Sequence, residues 1–447
     1  MAYRNIRLHP ILRLIYLTLR ILVWFGIKVF YRRRLVLGRE HLRFDGPAIV
    51  IANHPCTLMD VLNPALEIRQ EMFYLANYGL FRHPVSNWLL RRLFCIPVMR
   101  REDLREGEGR NNEEAFEQSF QHLEKNGVLF IAPEGTSWMN RFVRPMKTGT
   151  ARIALGADAR NNWKPGVKIM PVGLSYSAPH LFRSDVVVQF GAPVYARDWS
   201  DAWTQNQHQA IDQLTQYLQD QLKTLSIHTR DEAGEQLITR LEEILQNENP
   251  LPQNAAFERS QQLVKTALDN ELLREQTATY FETLAKAGLT DAGLSAALRA
   301  GARPNILRDM VFLLIGLPFF AAGYLFWFLP CFLPWWLNKK LNFYIGYSST
   351  VKILAGLIVF PPALWGAYRA GHYFFQNGGL ALAGIMALIA LGYFAERYMD
   401  IFRRFRERQK ALRAAKNKPE AFERLCAQRK ALLDVQAIRP TNLSSDE

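Results

Sequence analysis

His54 and Asp60 stand in the string NHPCTLMD, directly after the apolar run Ala48 to Ala52. An imidazole whose one nitrogen is held by a carboxylate offers the other as a base near neutral pH, which is what activating a hydroxyl group requires. Asp60 is the only carboxylate between Asp45 and Glu67, so it alone could serve His54 from the same loop. Taken by itself the pair fits two caps equally well, with His54 closing a turn and Asp60 opening the next helix. Pro55 is suited to a helix start, which puts His54 at a strand-to-helix junction, the edge of an α/β sheet where ligands bind. Cys56 reads as a small loop residue rather than a nucleophile, because the histidine that would activate a thiol already has Asp60 as its partner.

The elements that must position this pair read as an α/β domain with helices flanking a mixed sheet. Ala48 to Ala52, Val128 to Ala132, Lys168 to Ser175 and Val186 to Phe190 are short apolar runs bounded by glycine, proline or asparagine, the pattern of buried strands. Glu114 to Lys125 carries Phe116, Phe120 and Leu123 on one helical face and stops at Asn126-Gly127. Gly149 opens a further helix toward Ala157, and an anion near its amino end would be favoured. From Trp203 to Asn305 the chain turns polar and glutamine-rich, with leucine stripes at helical spacing that read as packing surfaces. The expected organisation is an N-terminal amphipathic helix over 1–36, an α/β domain over 37–200, a helical region over 201–305, a transmembrane region over 306–400 and a basic tail over 401–447.

The membrane reading rests on where the charge lies. The formal net charge is +14, and the basic residues cluster beside apolar segments at Arg32 to Arg34, Lys339-Lys340 and Arg403 to Arg408. That placement matches membrane flanks and anionic headgroups, and no nucleic-acid recognition module is present, so nucleic acid is not an expected partner. In Ile11 to Phe30, Arg13 and Arg20 fall within about 20° of each other on a helix, leaving one basic edge and a broad apolar arc, as an interfacial helix has. Val351 to Tyr368 and Gly379 to Ala395 read as two crossings. Met310 to Trp336 carries Pro318, Pro330 and Pro334 and reads as a proline-broken segment that enters and leaves on one face. The charge bias puts the catalytic domain on the cytoplasmic side of an integral membrane protein. The four cysteines show no pairing or zinc spacing, so neither a structural metal nor a disulfide framework is expected.

Four strings in order, NHPCTLMD, IPVMRRED, IAPEGTS and IMPVGLSY, resemble the sequence blocks of the PlsC-like membrane glycerolipid acyltransferases, the glycerol-3-phosphate, dihydroxyacetone phosphate and lysophosphatidate acyltransferase family. The resemblance covers Leu37 to Val194, and its most specific block is Pro133 to Ser137. It implies that His54 is a general base oriented by Asp60, and that Arg100 or Arg101 and the Glu134-Gly135-Thr136 turn hold a phosphate-bearing acceptor. A guanidinium fork and backbone amides at a glycine turn suit a phosphomonoester. Glu134 is also placed to accept a substrate hydroxyl, or is an ordinary helix-start carboxylate. Lys147 is a candidate contact for donor or acceptor phosphates, or a solvated loop lysine. No metal and no cofactor are implied, because the acyl thioester, acyl-CoA or acyl carrier protein, is itself the activated substrate.

Two positions depart from the family pattern. Five residues rather than the common four separate His54 from Asp60, and Met59 holds the usual place of the aspartate. On a continuous helix that slip rotates the carboxylate by about 100°; an extra residue in the loop before the helix restores it. Ser137 stands where many members carry arginine, which leaves Arg141 or Arg144 to supply the charge. The spacing and the long C-terminal extension resemble the branch that acylates glycerol 3-phosphate or dihydroxyacetone phosphate. The expected activity is transfer of an acyl group to such a glycerol-phosphate acceptor at a lipid surface. Alternatives are acylation of lysophosphatidate or another lysophospholipid, and a non-catalytic membrane lipid-binding scaffold.

Overall fold

The computed structural model of the chain describes residues 10–44, 46–92, 94–100, 112–300 and 306–435. They form two compact units, one of Met1–His228 with Phe343–Thr350, the other of Thr229–Asn342 with Val351–Glu447. In the first, helix α1 (Pro10–Phe30) is followed by strands β1 (Arg33–Leu37) and β2 (Ala48–Ala52), helix α2 (Leu58–Ala65), strand β3 (Met72–Asn77), helix α3 (Pro84–Arg92) and strand β4 (Cys95–Val98). Helix α4 (Glu113–Glu124), β5 (Val128–Ile131), α5 (Gly149–Arg160), β6 (Lys168–Tyr176), β7 (Asp185–Phe190), β8 (Val194–Tyr195), α6 (Ser200–Gln205) and α7 (Gln207–Leu225) complete it.

Among the described residues the strands make one sheet in the order β1-β7-β6-β2-β5-β3-β4, with β8 beside β6. All pairings are parallel except those of β6 with β7 and β8. β2 lies at the centre, Ala48 aligned with both Val128 and Lys168. All five of its residues are buried, as an apolar run covered on both faces must be. The apolar runs read as strands are β2, β5, β6 and β7, and the two helices expected between them are α4 and α5. β1, β3 and β4 lack that signature: β1 begins with two arginines, and β4 is four residues long with Pro97 inside, which its edge position tolerates.

The α/β unit does not end near residue 200. Ala210, Leu214, Leu218 and Leu222 of α7 are wholly buried in the same core as Ile49, Leu129 and Ile169. Gly173 of β6 makes the close approach possible, since a β-carbon there would lie 2.1 Å from the Leu225 carbonyl oxygen. Nor does the unit begin at residue 37, because β1 pairs with β7 along its whole length. Two residues of the basic edge of α1 bond to the rest of the unit. Arg20 donates to the Leu66 carbonyl at 2.7 Å and Arg13 pairs with Glu71 at 3.3 Å, while Ile11, Leu14, Ile21, Trp24 and Phe25 on the apolar arc are exposed.

The second unit contains α8 (Glu232–Glu248), α9 (Gln253–Ala267), α10 (Glu271–Lys286) and α11 (Asp291–Ala300), then the long helices α12 (Ile306–Leu341), α13 (Ser348–Phe375, whose first turn belongs to the first unit) and α14 (Gly378–Asn417), and α15 (Pro419–Asp434). The expectation of a break in the proline-bearing segment is corrected: α12 runs unbroken through Pro318, Pro330 and Pro334. Each proline removes one backbone bond, whereas ending the helix in apolar surroundings would strand several more polar groups. Small residues let α12 and α14 approach. A β-carbon on Gly323 would lie 2.4 Å from the Leu391 carbonyl oxygen, and one on Gly392 2.7 Å from the Trp327 ring. Among the described residues four helices, the one at Pro10–Phe30 and the three between Ile306 and Asn417, are long and apolar enough to cross a membrane.

Replacing Gly173 by alanine should cost about 3 kcal/mol of unfolding free energy, because the new methyl meets backbone that cannot yield. Gly149→Ala, whose methyl meets nothing within 4 Å, should leave the unfolding free energy within about 0.5 kcal/mol of the parent. Denaturant titration of the two proteins in detergent checks the contrast.

Candidate active site

β2 ends at Ala52 and the chain turns at the C-terminal edge of the parallel strands. Asn53 fixes that turn: its side-chain amide donates to the Leu174 carbonyl at 2.9 Å and accepts from the Leu174 N–H at 2.7 Å. The next residue, His54, places Nδ1 2.9 Å from Oδ2 of Asp60. The same carboxylate oxygen accepts the Cys56 N–H at 2.5 Å, and the other accepts the Tyr176 hydroxyl at 2.8 Å. Asp60 is wholly buried, while the His54 side chain keeps 18 % of its surface. With Nδ1 held inside, Nε2 is the nitrogen left to meet a substrate.

The five-residue spacing is resolved in the loop, as the register requires. α2 begins only at Leu58, so Asp60 falls in its first turn, where an acidic group is favoured. The preceding residue, Thr57, takes φ 45°, a left-handed conformation rare for a β-branched side chain. Its N–H donates to Ser137 Oγ at 3.1 Å. The two departures from the family pattern therefore meet in one hydrogen bond.

Burial pushes the Asp60 carboxyl above its usual range, with its donors, His54 first, pulling the other way. Burial likewise pushes the Cys56 thiol far up, with the Asp60 charge adding to it. A thiol so disfavoured as thiolate is no nucleophile.

Glu134 has a task that its motif did not reveal. Its buried carboxylate accepts the His54 N–H at 3.1 Å through one oxygen and the Arg144 N–H at 3.4 Å through the other. It ties the histidine's backbone to the next loop, and the Trp138 N–H adds a bond to the His54 carbonyl at 3.1 Å. Burial raises the Glu134 carboxyl to about 7, offset in part by those N–H donors. Gly135 holds φ 76°, and a β-carbon there would lie 2.7 Å from Lys147 Nζ. Arg100 donates to the Gly135 carbonyl, so Arg100 and Lys147 converge on the glycine turn. Thr136 continues that turn without becoming buried, and Arg101 lies outside the described residues. The Arg144 guanidinium lies over Trp138 and Phe142, at 4.2 and 4.8 Å from the ring centroids. Among the described residues no three His, Cys, Asp or Glu side chains converge as a metal site would need.

Asn53 and Tyr176 were not singled out in the sequence, although both lie in the quoted strings. Their signal is positional: one precedes the histidine at a strand end, and the other closes the neighbouring strand.

The model of the acyltransferase family matches residues 33–175, from β1 nearly to the end of β6, and takes in His54, Asp60 and Glu134. That stretch of the chain is similar to an acyltransferase domain. Over 79 residues the chain is 40 % identical to glycerol-3-phosphate O-acyltransferase 1 of Saccharomyces cerevisiae, covering 18 % of this chain and 10 % of that protein. Over 183 residues it is 24 % identical to the chloroplastic 1-acyl-sn-glycerol-3-phosphate acyltransferase BAT2 of Brassica napus, covering 39 % of this chain and 48 % of that protein. The matched stretch is thus about a tenth of the yeast protein's length and about half of the plant protein's. The crystal structure of the 1-acyl-sn-glycerophosphate acyltransferase PlsC from Thermotoga maritima aligns with a TM-score of 0.35 at 20 % identity, over 48 % of this chain and 81 % of that one.

Glu134→Gln supplies one acceptor where two N–H groups need one each, so it should loosen the His54 backbone. A buried acid raised from its ordinary value of 4.5 to about 7 holds its proton more tightly in the folded state. Its contribution to stability is therefore full below about 4.5 and is lost as pH rises through about 7. Melting curves across that window should show the parent losing stability with rising pH relative to Glu134→Gln, a slope difference that vanishes above about pH 8.

Proposed function

We propose that this chain is a membrane O-acyltransferase that moves a fatty acyl group from acyl-CoA or acyl carrier protein to a hydroxyl of glycerol 3-phosphate or a close glycerol-phosphate relative. The observation that carries the reading is the His54-Asp60 pair, with the carboxylate sealed inside and the imidazole partly exposed. His54 Nε2 takes the proton of the acceptor hydroxyl as its oxygen bonds to the thioester carbonyl carbon. Collapse of the tetrahedral adduct breaks the carbon–sulfur bond, and the imidazolium returns its proton to the leaving thiolate, so an ester and a free thiol result. Asp60 keeps Nδ1 protonated and steadies the imidazolium. The thioester is already activated, so the step needs neither an enzyme-bound acyl group nor a cofactor or metal.

Arg100 and Lys147 at the Gly135 turn are the groups proposed to hold the acceptor phosphate, with Arg144 beside them and Thr136 in the same turn. Glu134 supports the site through backbone N–H groups rather than through the acceptor. The non-catalytic scaffold loses its main support, because the off-register Asp60 reaches the imidazole. Acylation of a lysophosphatidate is a second reading, favoured by the similarity to the plant 1-acyl-sn-glycerol-3-phosphate acyltransferase.

The catalytic domain is proposed to face the cytoplasm. The support is the charge distribution about α13 and α14: Lys339 and Lys340 ahead of them and Arg403 to Arg408 in the C-terminal part of α14, against the single Arg369 near the end of α13 that meets α14. A thiol introduced by Asn377→Cys should react only with an impermeant reagent applied from the opposite side. Labelling from the cytoplasmic side would reverse the assignment.

In purified protein returned to lipid, His54→Ala should lower kcat by about 10²- to 10⁴-fold while leaving membrane insertion unchanged. A panel of glycerol 3-phosphate, dihydroxyacetone phosphate and lysophosphatidate should give the highest kcat/KM with glycerol 3-phosphate. Activity retained in the alanine variant would remove His54 as the base, and preference for lysophosphatidate would select the second reading.

A further inference from the structure

The linker between α12 and the membrane-length part of α13, residues Phe343–Thr350, packs as part of the first unit. Its three consecutive hydroxyl residues, Ser348, Ser349 and Thr350, are buried. Ser349 Oγ lies 3.0 Å from Cys56 Sγ, and Thr350 Oγ1 lies 3.3 Å from Thr57 Oγ1. The Thr57 hydroxyl donates to the Gly346 carbonyl at 3.0 Å, and Ser348 Oγ donates to the His180 carbonyl at 3.4 Å. The Tyr344 hydroxyl accepts the Met139 N–H at 3.1 Å, one residue beyond the Trp138 N–H that holds the His54 carbonyl. This linker thus grips both loops that fix the histidine.

The grip falls where the chain is strained. Thr57 at φ 45° is the residue that accommodates the extra position before Asp60, and such a conformation persists only where its surroundings over-determine it. Ser137 secures its N–H, but its side chain is held by Gly346 and Thr350. Cys56 donates its N–H to Asp60, and its thiol is held by Ser349. We propose that the Phe343–Thr350 strap is a positioning element of the His54-Asp60 pair, acting through Thr57 and Cys56. Thr57, Ser349 and Thr350 are positioning residues and touch no reacting atom.

The kinetic form of this inference rests on the proposed acyl transfer; its geometric form does not. The full chain in phospholipid nanodiscs is compared as parent, Thr57→Val, Thr57→Ser and Ser349→Ala. Thr57→Val keeps the branched shape and loses the hydroxyl. It should lower kcat by about 10- to 100-fold, with KM for both substrates within about twofold. It should also move the pH midpoint of kcat/KM by about half a unit or more. Thr57→Ser should restore kcat to within about threefold of the parent. A role in folding alone would change the active fraction and leave the pH midpoint in place.

The His54 imidazole titration, followed by NMR, should shift in Thr57→Val and Ser349→Ala whether or not the protein transfers acyl groups. A parent inactive on every acceptor, together with shifted titrations, would overturn the proposed function and keep the strap. If Thr57→Val does not fold, Ser349→Ala decides: a parent-like His54 titration and pH profile in that folded variant overturns the proposal.

Discussion

The constraint on which the site depends is the burial of the Asp60 carboxylate. A charge removed from water is tolerable only where donors replace its hydration, and losing one donor leaves a deficit of several kcal/mol. Asp60 receives three: the His54 ring, the Cys56 N–H and the Tyr176 hydroxyl. Two come from the loop between β2 and α2 and the third from a neighbouring strand. The ring arrives at the end of β2, the N–H from the loop ahead of α2, and the phenol from the end of β6. The parallel alignment of Ala52 with Val172 brings the first and third to the same edge. A shift of one residue in that register would reverse which face Tyr176 occupies. The sheet's register and the histidine's chemistry are therefore linked through one carboxylate.

An extra residue between His54 and Asp60 would be expected to undo that arrangement. It does not, because the surplus is taken up where a helix has not yet begun, and the cost is confined to Thr57. Strain of this kind is of order 1–3 kcal/mol. It is opposed by Ser137 from one side and by the 343–350 linker from the other. Ser137 in place of the common arginine is then intelligible as a hydrogen-bond acceptor for the bulged N–H, a task a guanidinium, which carries only donors, cannot perform. A residue that looks like a missing charge is a present acceptor.

How much of this was legible in the sequence follows from the range of each interaction. β2, β5, β6 and β7 are apolar runs buried by their neighbours, and the pair His54 and Asp60 is local, so both could be read. β1, with its arginines, and β4, with Pro97, carry no such signature because edge strands need none. Glu134 stays open in the sequence between a contact to the acceptor and a helix-start carboxylate, because a linear string cannot show that its oxygens point to the N–H groups of His54 and Arg144. The contact of Thr57 with Gly346 joins residues 289 positions apart. Ser348, Ser349 and Thr350 have no pattern of their own that marks them as anything but a polar linker between apolar helices. α12 was read as broken because proline statistics come mostly from water, where a broken helix can satisfy its ends.

The short helix α2 shows how the membrane-length helix α1 bears on the same site. At its N-terminal end α2 presents Asp60; at its C-terminal end its free carbonyls need donors. Arg20 of α1 supplies one at the Leu66 carbonyl, and Arg34 of β1 supplies another at the Asn63 carbonyl at 2.7 Å while its Nε reaches the Asn63 side chain. Cations at a helix C-terminus also complement its dipole. The arginines that interrupt the apolar run of α1 are therefore not simply a polar edge laid on headgroups. Arg20 holds one end of the helix whose other end carries Asp60, and Arg13 pairs with Glu71 beyond it, while the apolar arc of α1 stays exposed. Arg20, one of the charges that make α1 a poor free-standing membrane span, thus ties it to the helix that carries Asp60, with the exposed leucines, isoleucines and Trp24 of α1 left for lipid.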